Sequence, residues 1–239
     1  FPVDNIPAPN FRLTYFDGRG AAEVTRLLMK IGGIDFTDHR FPIHTTASRY
    51  GADEEYTSSK KSGQFSVNMD RLPVLDIDED LTIGQSRAIE RYIAGKCMLF
   101  GGNDEERAMI DCISENVRDI KEKYAAIRRR ETELKDETAS ETPTSQWFHS
   151  DSGLQEWLAK LERSLPQVPA DSEFAVGNTL SLADISIWHL LRDHFHGHLH
   201  EVLHAEEKAQ CIRLSRIAHQ VSEHSAIKKW LTDRPLSPF

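Results

Sequence analysis

The first residue that could do chemistry is Tyr15, which ends a β-prone segment and precedes a glycine-containing turn at 17–20. Helix-forming residues follow at 21–31, so the phenol is predicted to lie beside a helix N-terminus, where unpaired N–H groups favour anions. A phenol in that position could donate a hydrogen bond to a bound anion. The alternative is that Tyr15 is a core or cross-strand aromatic residue, and its position alone leaves both interpretations open.

Leu72-Pro73 begins an apolar segment that resembles a central strand. A trans proline inside such a strand would lose a ladder hydrogen bond. A cis proline at a bend would instead mark a constrained turn and expose the backbone of Leu72 to a peptide-like ligand. The alternative is that this segment is an edge strand.

Gln85-Ser86 follows a tight hairpin and begins a predicted helix. Serine at a helix N-terminus usually caps the backbone. The same hydroxyl and N–H groups can also bind a carboxylate. The residues alone leave capping and ligand binding open.

The elements that must position these motifs alternate between strand and helix. Hydrophobic alternation and helical spacing predict the order β-α-β-loop-β-β-α, which indicates a small mixed sheet with helices packed on it. The predicted strands lie at 11–16, 35–41, 72–77 and 81–83, the helices at 21–31 and 84–95, and a polar loop with at most one short helix at 44–70.

From residue 104 onward the chain predicts helices and no strand. Ser181 and Asp184 have the spacing of a capping box before an apolar run. Predicted helices lie at 104–128, 153–165, 185–191, 205–221 and 225–232, and the stretch at 129–146 is predicted to be a mobile loop or an extended helix end. We therefore expect an α/β domain over 9–95 and an all-α domain over 104–239.

Composition narrows the function classes. The 239 residues are 39 % hydrophobic and 28 % charged, with a formal net charge of −9, which argues against a general nucleic-acid or anionic-membrane binder. No run approaches the ~18 apolar residues of a membrane span. The cysteines, Cys97, Cys112 and Cys211, are too far apart for a disulfide framework or a Cys-rich zinc site, which favours a reducing compartment.

Three segments, taken in order, resemble cytosolic glutathione transferases: TYFDGRGAAEVTRLL, RLPVLDIDEDLTIGQSRAIERYIA and VGNTLSLADISIW. The resemblance spans nearly the whole chain and is closest to the tyrosine-type branch with a Sigma-like character. It implies a thioredoxin-like N-terminal domain, an all-helical C-terminal domain that forms the electrophile pocket, a homodimer and a cytoplasmic location.

The resemblance also assigns roles in glutathione binding. Tyr15 would hydrogen-bond the glutathione sulfur, and Leu72 before a cis Pro73 would pair with the cysteinyl backbone. Gln85 and Ser86 would hold the γ-glutamyl carboxylate. Glutathione is then a cosubstrate that supplies the nucleophile, and no metal is expected.

Other assignments concern the charged groups of glutathione. Asp119, with Asp111 as a second candidate, would reach across the dimer to the γ-glutamyl amine. Lys60, Lys61 and Arg71 are candidates for the cation that holds the glycyl carboxylate, with a solvated charge pair as the alternative for the two lysines.

The chain departs from the family pattern at Ala21, where Sigma-like members often carry a cation, and in the long loop before Leu72. Phe16, Arg118 and Tyr124 are candidates for the pocket of the second substrate. A histidine cluster could bind metal, but we interpret it as a polar segment between helices. It consists of His194, His196, His198, His200 and His204.

The predicted function is a detoxifying glutathione transferase that adds glutathione thiolate to small hydrophobic electrophiles. Two alternatives stay open: a glutathione-dependent isomerase of a lipid endoperoxide, similar to prostaglandin D synthase, and a ligand-binding or structural family member with little activity. The predicted partners are glutathione, an electrophile and a second copy of the chain, with no nucleic acid and no membrane.

Overall fold

A computed structural model describes residues 9–46, 49–78, 80–134, 141–168, 172–195 and 197–237. The chain forms two compact units. The first contains Phe1–Cys97 together with Trp230–Phe239, and the second contains Met98–Lys229. The C-terminal residues therefore group with the α/β unit, whereas the predicted all-α domain extends to residue 239.

The first unit contains a four-stranded mixed sheet. Its strands are β1 (Phe11–Phe16), β2 (Phe36–Phe41), β5 (Val74–Ile77) and β6 (Leu81–Gly84), in the order β2-β1-β5-β6. β1 runs parallel to β2 and antiparallel to β5, and β6 runs antiparallel to β5. Pro73 precedes the first residue of β5, so it removes no hydrogen bond from this central strand.

Helices α1 (Glu23–Ile31) and α3 (Ser86–Lys96) pack together in this unit. The predicted apolar stripe of α1 is buried at Val24, Leu27 and Leu28, and the polar Glu23 and Arg26 of the same helix are buried as well. A 3₁₀ turn at Gly20–Ala22 leads into α1.

The predicted loop at 44–70 is wrong in its first part. Strands β3 (Ile43–Thr46) and β4 (Arg49–Ala52) pair as an antiparallel two-stranded sheet, and helix α2 (Glu54–Lys61) follows. This pairing was missed because β3 and β4 lack the alternation of apolar residues by which a half-buried strand is recognised. A second 3₁₀ turn, Ser66–Asn68, precedes β5.

Among its described residues the second unit contains helices and no strand, as predicted. Its helices are α4 (Asp104–Leu134), α5 (Pro143–His149), α6 (Leu154–Ser164), α7 (Leu182–His189), α8 (Leu199–Lys208) and α9 (Ile212–Glu223), with a π-helical turn at Leu190–His194. Helix α10 (Ser225–Asp233) continues into the first unit.

Three boundaries in this unit differ from the pattern in the sequence. Helix α4 extends to Leu134, so the start of the 129–146 stretch is an extended helix end built from good helix formers. Helix α5 begins inside that stretch because Thr142 caps it and a proline follows at its first position. The helix predicted over 205–221 is interrupted at Gln210, whose φ is +54°.

The predicted capping box is present at the start of α7. Asp184 accepts hydrogen bonds from the Ser181 N–H and hydroxyl, and the N–H of Ala175 also donates to it. Within the described residues, no helix is long and apolar enough to cross a membrane.

Candidate functional site

The sheet of the first unit brings the three sequence motifs to one of its ends. Thr14 of β1 lies opposite Val74 of β5, and Val74 lies opposite Gly84 of β6. Because neighbouring strands here are antiparallel, the residues just beyond these pairs share the same end of the sheet. Those residues are Tyr15, Pro73 and Gln85.

The Tyr15 hydroxyl is held by the turn that follows β1. Its oxygen accepts a hydrogen bond from the backbone N–H of Ala21 at 3.2 Å, and the side chain is half-buried. Among the described residues no acceptor takes the hydroxyl hydrogen. The phenol can therefore donate to a ligand while its oxygen is fixed by the protein.

Gly20 allows this approach. Its φ is +39°, and a Cβ atom there would lie 2.6 Å from the Tyr15 hydroxyl oxygen. A side chain at this position would displace the phenol or the turn.

The Leu72–Pro73 peptide bond is cis. The side chain of Leu72 packs against the buried aromatic cluster that contains Phe41 and Phe65. The Pro73 carbonyl accepts a hydrogen bond from the buried Asn68 amide at 2.9 Å. The backbone N–H and C=O of Leu72 have no hydrogen-bond partner among the described residues, so both groups are available to a peptide-like ligand.

Gln85 lies at the junction between β6 and α3. Its φ is +65° and its side chain is exposed, while Ser86 is the first residue of α3. The preceding Gly84 lies against Asn68, whose Cβ would be 2.7 Å from a Cβ at Gly84. The junction thus places an amide, a hydroxyl and the first N–H groups of an 11-residue helix at one point, which suits a carboxylate.

The three candidate cations are exposed in this unit. Arg71 precedes Leu72, and its Nε donates to the carbonyl of Asn68 at 3.4 Å. Lys60 and Lys61 lie in the last turn of α2. The structure places all three side chains on the surface.

Comparison with known protein families identifies the two domains. The family model described as "Glutathione S-transferase, N-terminal domain" matches residues 11–95. The model described as "Glutathione S-transferase, C-terminal domain" matches residues 118–234. The chain belongs to the glutathione S-transferase family.

Individual relatives of this glutathione transferase support the same family assignment. Glutathione S-transferase P 1 of Xenopus laevis is 32 % identical over 187 residues, which cover 78 % of this chain and 77 % of that protein. A glutathione S-transferase of Dirofilaria immitis is 34 % identical over 175 residues, which cover 73 % of this chain and 72 % of that protein. The solved structure of a Pi-class glutathione S-transferase from Onchocerca volvulus is 28 % identical in sequence, with a TM-score of 0.69. The match covers 94 % of this chain and 93 % of that chain.

These matches confirm the predicted fold class, a thioredoxin-like domain followed by an all-helical domain, and the predicted enzyme class. Glutathione is the cosubstrate of this family. The Sigma-like subclass stays a prediction, as do the roles of individual site residues.

The remaining site residue predicted in the first unit is Phe16. Its ring lies 5.0 Å from that of Tyr56 and 5.5 Å from that of Tyr15. It is half-buried and packs on the cluster of Phe41, Phe65 and Val74. Its role in an electrophile pocket stays a prediction.

The predicted site residues of the second unit lie along α4 of the transferase. Asp119 is exposed and borders a small cleft that also contains Lys160. Asp111 is half-buried. Arg118 is exposed between Glu115 and Glu122 and pairs with both carboxylates.

Tyr124 belongs to an aromatic cluster in the second unit. Its ring contacts those of Trp147, Phe148 and Phe195 at centroid distances of 5.0–5.8 Å. Burial raises the pKa of its phenol above the ordinary value. Tyr124 thus packs within this aromatic cluster. Its role in an electrophile pocket stays a prediction.

The histidines do not form a metal centre in the part of the chain that the structure describes. His200 and His204 are exposed on α8, and His198 stacks on Phe148. His194 lies against Tyr124 in the π-helical turn, and His196 lies outside the described residues.

Sequence reasoning missed the residues that support Tyr15. Arg26 of α1 is fully buried and its guanidinium lies 5.9 Å from the centre of the Tyr15 ring. Its Nη1 donates to the carbonyl of Gly18 at 2.7 Å. The available signal was a pair of opposite charges, Glu23 and Arg26, three residues apart on one helix.

Proposed function

We propose that this glutathione transferase binds glutathione at the end of the first unit's sheet and conjugates its thiolate to small hydrophobic electrophiles. Tyr15 is the catalytic residue that donates a hydrogen bond to the sulfur. The observation that carries the proposal is the hydrogen bond from the Ala21 N–H to the Tyr15 hydroxyl oxygen. It fixes the phenol with its own hydrogen available, beside the ends of β5 and β6.

The chemistry needs no reactive cysteine from the protein. A free thiol has a pKa of about 8.5, so only a few per cent is thiolate at neutral pH. A hydrogen bond to a charged group contributes about 1.5–3 kcal/mol, which lowers the thiol pKa by roughly one to two units at about 1.36 kcal/mol per unit. The thiol proton leaves to solvent. The thiolate then attacks the electrophilic carbon and, with an aryl halide, expels halide.

The neighbouring groups suit the rest of the tripeptide. The unpaired backbone of Leu72 would bind the cysteinyl N–H and C=O, and Gln85 with Ser86 would bind the γ-glutamyl carboxylate. A cation from Arg71, Lys60 or Lys61 would bind the glycyl carboxylate. These side chains are exposed or half-buried, so a ligand can reach them.

The finer assignments are part of the same proposal. The enzyme is of the tyrosine type with Sigma-like character, works in the cytoplasm and forms a homodimer in which Asp119 binds the γ-glutamyl amine of the glutathione on the partner subunit. Arg118, Tyr124 and Phe16 stay candidates for electrophile contacts.

The deciding experiment titrates the ultraviolet absorbance of glutathione thiolate in complex with the full chain. We expect wild type to bind glutathione with a thiol pKa of about 6.5–7.5. Tyr15→Phe should raise that pKa by about one to two units and lower turnover of a chloronitrobenzene by about tenfold or more. Tyr92→Phe removes the hydroxyl of a tyrosine on α3 whose ring contacts Lys96 and should leave both values unchanged.

Two outcomes would overturn the proposal: a wild-type chain that does not bind glutathione, or a Tyr15→Phe variant that titrates and turns over as wild type does. An electrophile panel separates the alternative functions. Glutathione binding without any turnover would indicate a ligand-binding or structural protein. Turnover of a lipid endoperoxide but not of aryl halides would indicate an isomerase.

A further inference from the structure

A buried network of hydrogen bonds and ion pairs connects α1 to Trp230 and Arg234, which together are called the C-terminal segment below. The carboxylate of Glu23 is almost fully buried. Its Oε1 accepts hydrogen bonds from Trp230 Nε1 at 2.8 Å and from Arg234 Nη1 at 2.9 Å. Its Oε2 pairs with Arg26 Nη1 at 3.2 Å. Glu23 therefore joins two donors from the C-terminal segment to one from its own helix.

The same Arg26 holds the turn that carries the Tyr15 partner. Its Nη1 donates to the Gly18 carbonyl at 2.7 Å and lies 3.4 Å from the Arg19 carbonyl. Its Nε pairs with Asp38 of β2 at 3.1 Å. The turn continues through Gly20 to Ala21, whose N–H donates to the Tyr15 hydroxyl.

The C-terminal segment is fixed on α1 by a further contact. The ammonium group of Lys30 lies 5.3 Å from the centre of the Trp230 ring and 4.8 Å from that of Phe36. Trp230 is only 8 % exposed. Its N–H is therefore a preorganised donor to Glu23 and not a surface group that happens to reach it.

We propose that Glu23, held by Trp230 and Arg234, is a positioning residue for the thiol chemistry and acts through Arg26 and the turn at 18–21 on Tyr15. This inference rests on the proposed function. It assigns the C-terminal segment a part in setting the thiol pKa, although none of its residues needs to touch glutathione.

The physical reason is the cost of an uncompensated buried charge. A buried carboxylate is costly to the fold unless hydrogen-bond donors compensate its charge. When Arg234 is removed, Glu23 loses one hydrogen-bond donor and must either bond more closely to Arg26 or change its conformation. Arg26 also supplies the hydrogen bonds that define the turn, so the turn is affected. A shift of the Ala21 N–H changes the geometry of the phenol, and small displacements of a catalytic donor have large effects on rate.

The test uses variants at the outer end of the network, in the full chain. Arg234→Ala removes one donor to Glu23, and Arg234→Lys replaces it with a shorter donor. Trp230→Phe removes the other N–H but keeps an aromatic ring. Lys228→Ala is the matched control because it removes a positive charge from the same C-terminal helix, at an exposed ion pair with Glu223.

We expect Arg234→Ala to raise the pKa of bound glutathione and to lower kcat/KM for a chloronitrobenzene by about tenfold. Arg234→Lys should recover most of the loss, Trp230→Phe should shift the pKa in the same direction by less, and Lys228→Ala should behave as wild type. In a Tyr15→Phe background, Arg234→Ala should produce no further rise in the thiol pKa, because the residue through which it acts is gone.

The proposed function is judged first, on wild type and Tyr15→Phe alone. If those behave as expected, a folded Arg234→Ala with a wild-type thiol pKa would overturn the positioning role. So would an equal rise in the pKa with and without the Tyr15 hydroxyl, or an equal effect of Lys228→Ala. If thermal melting shows that Arg234→Ala does not fold, the decision passes to Trp230→Phe, where a folded variant with an unshifted thiol pKa would overturn it.

Discussion

Gly20 lies directly against the hydroxyl of Tyr15, so that a Cβ atom at Gly20 would come within 2.6 Å of the phenol oxygen. The phenol of Tyr15 and the main chain of the turn thus occupy adjoining space, and each defines the position of the other. Gly20 also has a φ of +39°, a conformation that residues with a Cβ rarely adopt.

Gly20→Ala should therefore damage activity without touching any atom of the ligand. We expect kcat/KM for a chloronitrobenzene to fall by about tenfold or more, with a rise in the thiol pKa of bound glutathione similar to that of Tyr15→Phe. Gly95→Ala is the control, because a Cβ on this helical glycine of α3 meets no atom within 4 Å. It should retain full activity and gain about 0.5–1 kcal/mol in stability; a Gly20→Ala enzyme with wild-type kcat/KM would show that the turn does not position the phenol.

Arg71 is the cation nearest in sequence to the Leu72 backbone, and it is anchored on the Asn68 carbonyl. Arg71→Met should raise KM for glutathione by about tenfold, the lower end of what a charge-assisted hydrogen bond contributes, and should leave kcat largely unchanged. Arg12→Met removes an exposed arginine of β1 and serves as the charge control. If Lys60→Met or Lys61→Met raises KM and Arg71→Met does not, the glycyl carboxylate binds at the end of α2 instead.

Asp119 can be tested with the ligand as well as the protein. Asp119→Asn should raise KM for glutathione by about tenfold and should have no effect with a glutathione analogue that lacks the γ-glutamyl amine. Asp111→Asn tests the second candidate on the same helix in the same way. Equal losses with both ligands would mean that Asp119 does not bind the amine, and a loss confined to Asp111→Asn would assign the amine to Asp111.

Local pattern in the sequence predicted the strands and turns that surround Tyr15, Pro73 and Gln85. Tyr15 lies near the end of β1, Pro73 precedes β5 and Gln85 follows β6, and the antiparallel pairing of these strands brings the three residues to one end of the sheet. The hairpin formed by β3 and β4 was missed because backbone pairing holds it without an alternating apolar pattern. The contact of Glu23 with Trp230 and Arg234 could not be predicted, since no periodicity relates residues so far apart in the chain.

Asp184 links the stability of the second unit to pH. Burial raises the pKa of its carboxyl to about 6, despite hydrogen bonds from Ser181 and from the N–H of Ala175. An unfolded aspartate titrates near pH 4, so between about pH 4 and about pH 6 the folded state keeps a proton that the unfolded state has lost. Stability contributed by this group is therefore largest below about pH 4, decreases as pH rises to about 6, and is constant above that value.

Asp184→Asn should remove this pH dependence of the unfolding free energy. We expect the difference in unfolding free energy between wild type and Asp184→Asn, measured by urea unfolding, to be larger at about pH 4.5 than at about pH 7. Glu223→Gln is the control of opposite sign: the hydrogen bond and charge of Lys228 lower the pKa of the exposed Glu223, so any contribution from that pair decreases as pH falls. A wild-type advantage over Asp184→Asn that is the same at both pH values would mean that Asp184 keeps an ordinary pKa in the folded protein, and that the hydrogen bonds of the capping box outweigh the burial of its charge.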